Sequence, residues 1–325
     1  MVPMKVLSIA IPAYNVERYL ARCLDSLLYD STIYNDLDII VVNDGSRDDT
    51  IKIAEEYSRK YKCIRIIDKE NGGHGSTINS AIKIAKGKYF KVIDSDDWVN
   101  IFDFAKFVNS LKKETADIVV TNYKKDILYN TKTEEFVFCI EDSKLFDISR
   151  IKDDIREDDF FFKFSMHSMT LKTEALKSVW REGLLEKTFY VDQQFVALSL
   201  LGSKSYRLLN YDIYRYFIGR PDQSMNPESF FKHRLDHERV LKWLLMLDHS
   251  HSADKKEYFK VVLSKQISLM LRTHYMIYRS KYKTSQSNKE LRSFDRFIKQ
   301  NYPEIKLPKS SGASIKNLVH RGVSK

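Results

Sequence analysis

The chain has 325 residues, 43% of them hydrophobic and 13% aromatic, which excludes a largely disordered protein and allows one large domain or two smaller ones. Its formal net charge is +10, and the excess is confined to one end: Asn226–Lys325 carries a net charge of +12 and the rest of the chain −2. A basic segment of this kind either meets an anionic membrane, an anionic substrate or nucleic acid, or forms a solvated helical surface. The three cysteines lack metal-type spacing, so a reducing compartment is expected.

Neither a signal peptide nor a membrane span is predicted. The first apolar run, Val6–Ile11, is short, ends at Pro12 and is interpreted as a strand. The most apolar later segments, Leu241–Leu247 and Val261–Ile277, are interrupted by lysine or arginine, and no run is long enough to cross a bilayer. We therefore expect a cytoplasmic protein.

Strands and helices alternate four times in the first hundred residues. Short apolar runs end at polar clusters, and segments with helical spacing of apolar residues follow them. Ser46 is the predicted N-cap of the helix after the second strand. The predicted strands are Val6–Ile11, Leu37–Val42, Cys63–Ile67 and Tyr89–Ile93, and helices are predicted over Val16–Leu28, after Ser46, and over Ser76–Ala85. This order predicts an α/β fold with a mostly parallel sheet and helices on both faces.

The rest of the chain divides into an irregular middle and a helical end. The middle is predicted to contain strands at Ile118–Thr121, Glu135–Phe138, Met166–Leu171 and Tyr206–Leu209 and a helix at Gln193–Leu201. Helices are predicted over Glu228–Leu247, Lys255–Tyr278 and Lys289–Gln300, followed by a mobile tail. We therefore predict two domains, an α/β domain over residues 1–225 and a basic helical region over residues 226–325.

Polar clusters follow each of the predicted parallel strands. They are Tyr14-Asn15, Asp44-Gly45-Ser46, Asn71–Ser76 and Asp94–Asp97. Ligands of such sheets bind beyond the carboxyl ends of the strands, so these clusters are expected to meet in one site.

The sharpest of these clusters is Asp94-Ser95-Asp96-Asp97, because three carboxylates in four residues repel one another without a cation or many donors. Hard divalent cations prefer oxygen ligands and bridge them to phosphates, although an acidic helix-capping turn is the alternative. Asp44 is placed to accept from a base or ribose, or else forms a turn. The glycine-rich Asn71–Ser76 turn enters a helix and can direct backbone N–H groups at phosphate.

Taken in order, these segments resemble the catalytic domain of family-2 glycosyltransferases, which have the GT-A fold. The segments that carry the resemblance are IAIPAYNVERYLARCLDSLL, DIIVVNDGSRDDT, NGGHGSTINSAI and GKYFKVIDSDDW, over about residues 6–100. Weaker similarity continues to about residue 225. The resemblance implies an inverting transfer of a hexosyl or N-acetylhexosaminyl group, from a nucleotide-sugar that is usually a UDP-sugar, to an acceptor hydroxyl. The acceptor would be a glycan or a lipid-linked sugar, in cell-wall or capsule synthesis.

The resemblance also implies roles for single residues. The first loop, at Pro12, packs on the nucleotide, and Asp44 reads the base. Asp94 and Asp96 form the family's Asp-x-Asp motif, which holds Mn²⁺ or Mg²⁺, and Asp97 lies within reach of the same ion. The donor-binding residues expected on this basis are Pro12, Ala13, Tyr14, Asp44, Gly73, His74, Asn79, Asp94, Ser95 and Arg220.

The expected general base is Asp192, in Tyr190-Val191-Asp192-Gln193-Gln194-Phe195. Family members usually carry Glu-Asp-x-x-Phe here, and Val191 stands in place of the glutamate. A general base takes the proton of the acceptor hydroxyl during transfer. A carboxylate at a helix N-terminus can instead be only a cap.

Three further positions are left open. The family often has Ala-Arg-Asn where this chain has Thr77-Ile78-Asn79, so His74 is a candidate donor contact in place of the arginine or is a loop histidine without contact. Arg220 lies where a loop often closes over the diphosphate, or is a surface residue. His167 lies where acceptor contacts are usual, or is a core histidine.

Two other functions compete with this one. A phosphohydrolase with an aspartate nucleophile would leave Asp44 unexplained. A non-catalytic module that binds nucleotide-sugar or a polyanion is the main alternative, whereas nucleic acid is not expected because the basic region lacks an interleaved aromatic platform.

The basic C-terminal helices are expected to bring the enzyme to the inner face of the plasma membrane as a peripheral protein. Arg279, Lys281, Lys283, Lys289, Arg292 and Arg296 fall in one short stretch. Tyr275, Tyr278, Tyr282 and Phe294 lie among them and are expected at headgroup level. The alternatives are packing on the catalytic domain or a homodimer.

Overall fold

The structure, a computed structural model, describes residues 4–127, 135–136, 140–155, 160–218, 227–250 and 257–308. The chain forms two compact units, Met1–Gly219 and Arg220–Lys325.

The first unit is built on one mixed sheet of ten strands. Its order is β3-β2-β1-β4-β9-β6-β10-β5, with β7 beside β6 and β8 beside β10. In chain order the strands are β1 (Lys5–Ala13), β2 (Leu37–Asp44), β3 (Ile64–Lys69), β4 (Gly87–Val92), β5 (Trp98–Val99), β6 (Ile118–Ile127), β7 (Glu135–Phe136), β8 (Phe146–Asp147), β9 (Met169–Lys172) and β10 (Ser205–Ile218).

Helices cover this sheet, which is why β2 is buried along its whole length. The third helix packs on β1 and β2, the fourth on β10, and the seventh on the eighth. The α-helices of the unit are α1 (Leu20–Leu27), α2 (Thr50–Lys60), α3 (His74–Ile84), α4 (Ile101–Leu111), α5 (Ile151–Asp154), α6 (Phe160–Lys163), α7 (Thr173–Val179) and α8 (Val191–Gly202).

The predicted fold class is confirmed. Strands β3, β2, β1 and β4 are parallel neighbours, and the ladder between β6 and β10 is also parallel. The antiparallel ladders, which join β9 to β4 and β6 and attach the short strands, are two or three residue pairs long.

The order of the parallel strands reverses at one point in the sheet. The chain moves from β1 to β2 and β3 on one side and to β4 on the other, so the order reverses between β1 and β4. Ligands of open α/β sheets bind at such a reversal, beyond the carboxyl ends of the strands. Tyr14 directly follows β1, and the Asp94–Asp97 turn follows β4 by one residue.

The predicted cap at Ser46 is wrong. Helix α2 begins at Thr50, and its N-cap is Asp49. The Ser46 hydroxyl instead accepts from the Asn15 N–H at 3.0 Å, and the Asn15 side chain accepts from the Arg47 N–H at 2.9 Å. These two bonds tie the loop after β1 to the loop after β2.

The second unit is helical, as predicted, but the first predicted helix is divided in two. The unit contains α9 (Pro227–Lys232), α10 (Arg234–Ser250), α11 (Glu257–Tyr278) and α12 (Ser285–Asn301). Helix α11 packs on the other three. Thr284 and Ser287 form a capping box at the start of α12. Within the described ranges, no helix has both the length and the apolarity to cross a membrane.

The expected exposure of the C-terminal aromatic residues is wrong. Tyr275, Tyr278 and Phe294 are buried. The Tyr275 hydroxyl donates to Asp295 of α12, and the His274 ring lies 4.4 Å from the Phe294 ring. Apolar burial therefore uses these side chains inside the helical unit, where they cannot settle among lipid headgroups.

Candidate active site

The glycine-rich turn between β3 and α3 is organised by Asp44. The Gly72 and Gly73 N–H groups donate to the two oxygens of the Asp44 carboxylate at 2.9 and 2.7 Å. Gly73 has φ +82°, a backbone conformation that residues other than glycine rarely adopt. These two hydrogen bonds therefore fix the turn that leads into α3, which begins at His74.

Asp44 also forms a salt bridge with a lysine side chain. Lys69 Nζ lies 3.0 Å from Asp44 Oδ1 and donates to the Ser76 hydroxyl at 3.0 Å and the Glu70 carbonyl at 2.6 Å. The Asp44 side chain is only 3% exposed. The Ser76 hydroxyl also donates to Asp44 Oδ1, at 3.4 Å, so four donors already bind this carboxylate. The role of Asp44 in reading a base stays a prediction.

The first loop leaves its aromatic side chain open to solvent. Pro12 and Ala13 are buried in β1, whereas Tyr14 is 49% exposed. Asn15, the next residue, has φ 51° and is held by the loop after β2. Tyr14 is therefore available to pack on a ligand at the crevice.

The turn after β4 concentrates negative charge in a buried place. Asp97 is 1% exposed, accepts from the Tyr214 hydroxyl at 2.5 Å, and accepts from the Phe217 N–H at 2.8 Å. Tyr214 in turn accepts from the Asp94 N–H at 3.2 Å. Burial, and after it the charges of Asp96 and Asp94, hold the pKa of Asp97 well above its usual value. A cation at this turn would relieve that repulsion.

Two histidines flank Asp94. His74 Nε2 lies 2.9 Å from Asp94 Oδ1, and His167 Nε2 lies 4.0 Å from Asp94 Oδ2. Burial by itself would lower the pKa of His74, but the hydrogen bond to Asp94 and the charges of Asp94, Asp192 and Asp96 raise it. Burial lowers the pKa of His167, against the charges of Asp94 and Asp192.

The donor set at this point fits a divalent cation. Asp94, Asp97 and His167 each offer a ligand atom, and these atoms lie within 4.8 Å of one another. In the part of the chain that the structure describes, Asp96 does not join this group. Carboxylate and imidazole groups together are ligands of divalent metal ions. The Asp96 ligand role therefore stays a prediction.

The segment that leads to Asp192 is seated on the glycine-rich turn. The Lys187 N–H donates to the Gly72 carbonyl at 2.6 Å. A Cβ on Gly75 would lie 2.2 Å from the Leu185 carbonyl oxygen, so only glycine permits this approach. Asn79 completes the contact, because its amide accepts from the Leu184 N–H at 2.8 Å and donates to the Leu184 carbonyl at 2.9 Å.

Asp192 lies in the first turn of α8. The N-cap of that helix is Tyr190, at φ 65°, and its side chain makes no capping bond. The Asp192 carboxylate is half-buried and accepts from the Gln193 amide at 2.9 Å. Its charge acts on the pKa values of both His74 and His167, which places it within electrostatic range of the Asp94 turn. The left-handed backbone conformation of Tyr190 is rare for residues other than glycine, and such conformations are frequent at functional sites.

The structure thus brings together some of the predicted site residues and gives others a different task. Gly73, His74, Asp94, Asp97 and Asp192 surround one region. The Asn79 amide is used to hold Leu184, so its role as a donor contact is a prediction that this geometry does not favour. Ser95 is buried. Arg220 lies outside the described residues.

Sequence reasoning missed Lys91 and the position of His167 beside Asp94. Lys91 is fully buried, and its Nζ donates to the His167 carbonyl at 2.7 Å and the Met169 carbonyl at 3.2 Å. Burial lowers the pKa of Lys91 to about 7. A lysine inside the apolar strand before the aspartate turn was the available signal, because a buried lysine needs polar partners.

Comparison with known proteins gives similarities over the same region. Residues 8–166 match the family model for glycosyl transferase family 2. The chain is 30% identical over 208 residues to glycosyltransferase GlyA of Streptococcus pneumoniae, covering 64% of this chain and 28% of that protein. It is 33% identical over 163 residues to poly(ribitol-phosphate) beta-glucosyltransferase of Bacillus spizizenii, covering 45% of this chain and 26% of that protein. The aligned parts therefore span little more than a quarter of these relatives.

Among solved structures, that of S. aureus TarS in complex with UDP-GlcNAc is similar, with a TM-score of 0.66 and 20% identity. The match covers 90% of this chain and 81% of the TarS chain. At this identity the likeness concerns the fold.

Proposed function

Residues 8–166 form a glycosyl transferase family 2 domain of the GT-A fold, and on that premise we propose that the chain is an inverting transferase that moves a sugar from a nucleoside diphosphate to an acceptor hydroxyl. The family expected from the four motif segments is confirmed. The observation that supports the proposed reaction is that the segment leading to Asp192 is hydrogen-bonded to the glycine-rich turn, and that the charge of Asp192 acts on the pKa values of His74 and His167, the two histidines beside Asp94.

Asp192 is the proposed general base. The acceptor oxygen attacks the anomeric carbon, the bond from that carbon to the β-phosphate oxygen breaks, and the nucleoside diphosphate leaves with the electron pair. Asp192 takes the proton of the acceptor hydroxyl. Its carboxylate is half-buried and does not cap α8, so it is available for this role.

In this proposal His74 takes the place of the arginine that family members often carry where this chain has Ile78. His74 lies at the first position of α3, where the helix N-terminus favours negative charge. Because its pKa is raised, a larger fraction of this ring is protonated near neutral pH. A protonated His74 would donate to the diphosphate or keep Asp94 oriented.

Mn²⁺ or Mg²⁺ is the proposed cofactor, and the Asp94–Asp97 turn would hold it. When bound, such an ion stabilises the negative charge that develops on the leaving diphosphate. Hydrogen bonds from the Tyr214 hydroxyl and the Phe217 N–H fix Asp97 within this turn.

The donor is proposed to be a UDP-sugar and the acceptor a hydroxyl of a cell-wall or capsule polysaccharide or of its lipid-linked precursor. TarS, which shares the fold, was solved with UDP-GlcNAc, and one relative is a poly(ribitol-phosphate) glucosyltransferase. Whether a hexose or an N-acetylhexosamine is transferred depends on contacts that the fold does not determine.

A thermal-shift panel of nucleotide-sugars, with and without Mn²⁺, tests the donor. A UDP-sugar at about 100 times its dissociation constant should stabilise the protein by about 2.7 kcal/mol. Release of UDP, measured with a coupled assay, should accompany this binding and increase with a suitable acceptor. Binding without any UDP release would favour the non-catalytic nucleotide-sugar module, and no response to any nucleotide would contradict both.

A further inference from the structure

We propose that His167 is a direct nitrogen ligand of the divalent cation, and that this nitrogen makes the site prefer Mn²⁺ to Mg²⁺. The inference rests on the proposed function, since the cation belongs to the same donor site. It assigns His167 a role different from the acceptor contact or core position expected from the sequence.

The ring of His167 is fixed by three tyrosines. It stacks on Tyr216 with ring centres 4.7 Å apart, meets Tyr214 edge-on at 4.9 Å, and lies 5.6 Å from Tyr123. Its side chain remains 20% exposed. Packing against three rings restricts the rotation of the His167 ring, and its Nε2 atom lies 4.0 Å from Asp94 Oδ2.

The backbone beneath the ring is fixed as well. Lys91 Nζ, inside the sheet, donates to the carbonyls of His167 and Met169. Met169 begins β9, which pairs with β4 at Tyr89 and Phe90, on the strand that leads to the Asp94 turn. The histidine and the carboxylates are therefore attached to neighbouring strands of one sheet, and this fixes the distance between them.

The separation between His167 and Asp94 fits a shared ion better than a hydrogen bond. At 4.0 Å, Nε2 and Oδ2 are too far apart for a hydrogen bond. A cation bound to both atoms needs a gap of about 3 to 4 Å, since each bond to a small divalent cation is about 2.1 Å long. Asp97 offers the third ligand atom, within 4.8 Å of the other two.

The two oxygens of Asp94 divide between the two histidines. Oδ1 faces His74 at hydrogen-bond distance, and Oδ2 faces His167. His74 is therefore a positioning residue that orients the carboxylate, as partners of metal ligands commonly do. This division makes His74 the matched control for His167, because each contacts the same carboxylate through a ring nitrogen.

The ligand type predicts metal preference. Mg²⁺ takes oxygen ligands and keeps several waters, whereas imidazole nitrogen is a ligand of transition-metal ions. A site of two carboxylates and one imidazole should therefore bind Mn²⁺ more tightly than Mg²⁺, and loss of the imidazole should reduce that difference.

Pulsed electron paramagnetic resonance of Mn²⁺ bound to the full chain with UDP tests the ligand directly. The echo of wild-type protein should show modulation from a directly bound nitrogen, and histidine labelled with the heavier nitrogen isotope should change that modulation. It should disappear in His167→Ala and His167→Gln and persist in His74→Ala. Calorimetry should show that His167→Ala weakens Mn²⁺ binding by at least about tenfold.

The outcomes separate this inference from the proposed function. Wild-type protein that binds UDP with Mn²⁺ but shows no nitrogen modulation would overturn the ligand role alone, whether or not the variants fold. Loss of the modulation only in His74→Ala would also overturn it. A wild-type protein that binds neither UDP nor Mn²⁺ would overturn both proposals.

Discussion

At the scale of single residues, the carboxylates of the candidate site differ in what they contact. Asp44 holds the glycine-rich turn, Asp97 ties the acidic turn to β10, and Asp94 faces two histidines. The Asp192 carboxylate lies in the first turn of α8 without capping that helix, and its described hydrogen bond comes from the Gln193 amide. This division is the physical reason for assigning the base to Asp192.

We predict that Asp192→Asn leaves donor binding nearly unchanged and lowers kcat by about a hundredfold or more, the usual effect of losing a general base. The amide keeps the size and the contact with Gln193 but cannot take the proton. Steady-state kinetics and UDP calorimetry measure the two quantities. Glu186→Gln is the matched control, because Glu186 is an exposed carboxylate on the segment that precedes α8, and it should remain active. Full activity of Asp192→Asn, or an equal loss in Glu186→Gln, would contradict this assignment.

Many of the residues at the site could be found from the sequence because they follow strands. Asp94 and Asp44 come directly after apolar runs, and their meeting follows from parallel strand order. His167 and Lys91 could not be assigned in this way. Their contact depends on the antiparallel insertion of β9 between β4 and β6, a long-range pairing that local periodicity does not encode.

At the scale of elements, the glycine-rich turn contacts the segment 184–188, which leads to Asp192. Gly72, Gly73 and Gly75 all lie against the segment 184–188 or against side chains that hold the turn. The start of α3 therefore determines where the segment before α8 runs. The sequence predicted α3 and its glycines, but their meeting with Leu185 and Lys187 was visible only in the fold.

Boundaries of elements were predicted less well than their existence, and the reasons are local. Helix α2 begins at Thr50 because the side chain of Ser46 is bound to Asn15, which removes it as a cap. Strand β10 runs to Ile218, well past the predicted Leu209, because its pairing with β6 continues through a register shift. Neither the tertiary hydrogen bond nor the bulge has a signature in the apolar pattern.

Helix α11 carries a buried histidine, and from its burial we expect acid to destabilise the helical unit. His274 is buried, and within the described residues neither of its ring nitrogens has a hydrogen-bond partner. Burial, followed by the charges of His237 and Lys242, holds the pKa of His274 well below its usual 6.5. Burial also lowers the pKa of His237 on α10 to about 3. Below about pH 6.5 the unfolded chain takes up protons at these residues that the folded chain does not.

We therefore predict that acidification destabilises the protein and that His274→Phe reduces this effect. Between about pH 6 and 5 the free energy of unfolding should fall in both proteins. The fall should be smaller in His274→Phe, by about 1.4 kcal/mol per pH unit, because this variant lacks the histidine that takes up a proton on unfolding. The phenylalanine loses no described hydrogen bond and keeps the contacts with Phe294 and Tyr278. Urea unfolding followed by circular dichroism at several pH values measures the difference, and identical pH slopes for the two proteins would show that this histidine is not buried in its neutral form.

At the scale of the whole molecule, charge is segregated along the chain. The first 225 residues carry a net charge of −2 and the last hundred +12. The surface of α12 shows how the basic excess is presented: Lys289, Arg292 and Arg296 are exposed at helical spacing along one face. The acidic residues of this helix have partners on other helices of the unit. Glu290 forms a salt bridge with Arg234, and Asp295 accepts a hydrogen bond from the Tyr275 hydroxyl. Pairing of the acidic side chains thus leaves the exposed face of α12 positive.

We propose that any membrane interaction of this chain is electrostatic and does not depend on insertion of these aromatic side chains. Tyr275, Tyr278 and Phe294 are buried, so the hydrophobic contribution first expected from them is absent. Each basic residue near an anionic surface contributes about 1 kcal/mol. Exposed basic residues of α12 and of the turn before it, such as Lys281 and Lys283, are therefore proposed to hold the protein at anionic lipid, near a lipid-linked acceptor.

We predict that the full chain floats with vesicles containing anionic phosphatidylglycerol at low salt and not with neutral phosphatidylcholine vesicles. Because Tyr275, Tyr278 and Phe294 are buried and cannot insert, 1 M salt, which shortens the screening length to about 3 Å, should release the protein completely. Replacing Lys281, Lys283, Lys289 and Arg292 with glutamate should abolish flotation. The matched control replaces Lys52, Arg59, Lys60 and Lys62, exposed in and beside α2, with glutamate. It changes the net charge equally and should still float.

Loss of binding in both variants would mean that net charge alone acts, and binding that survives 1 M salt would mean that an apolar surface takes part. A stable dimer that conceals α12 and fails to float would favour a second copy of the chain as the partner of this helix.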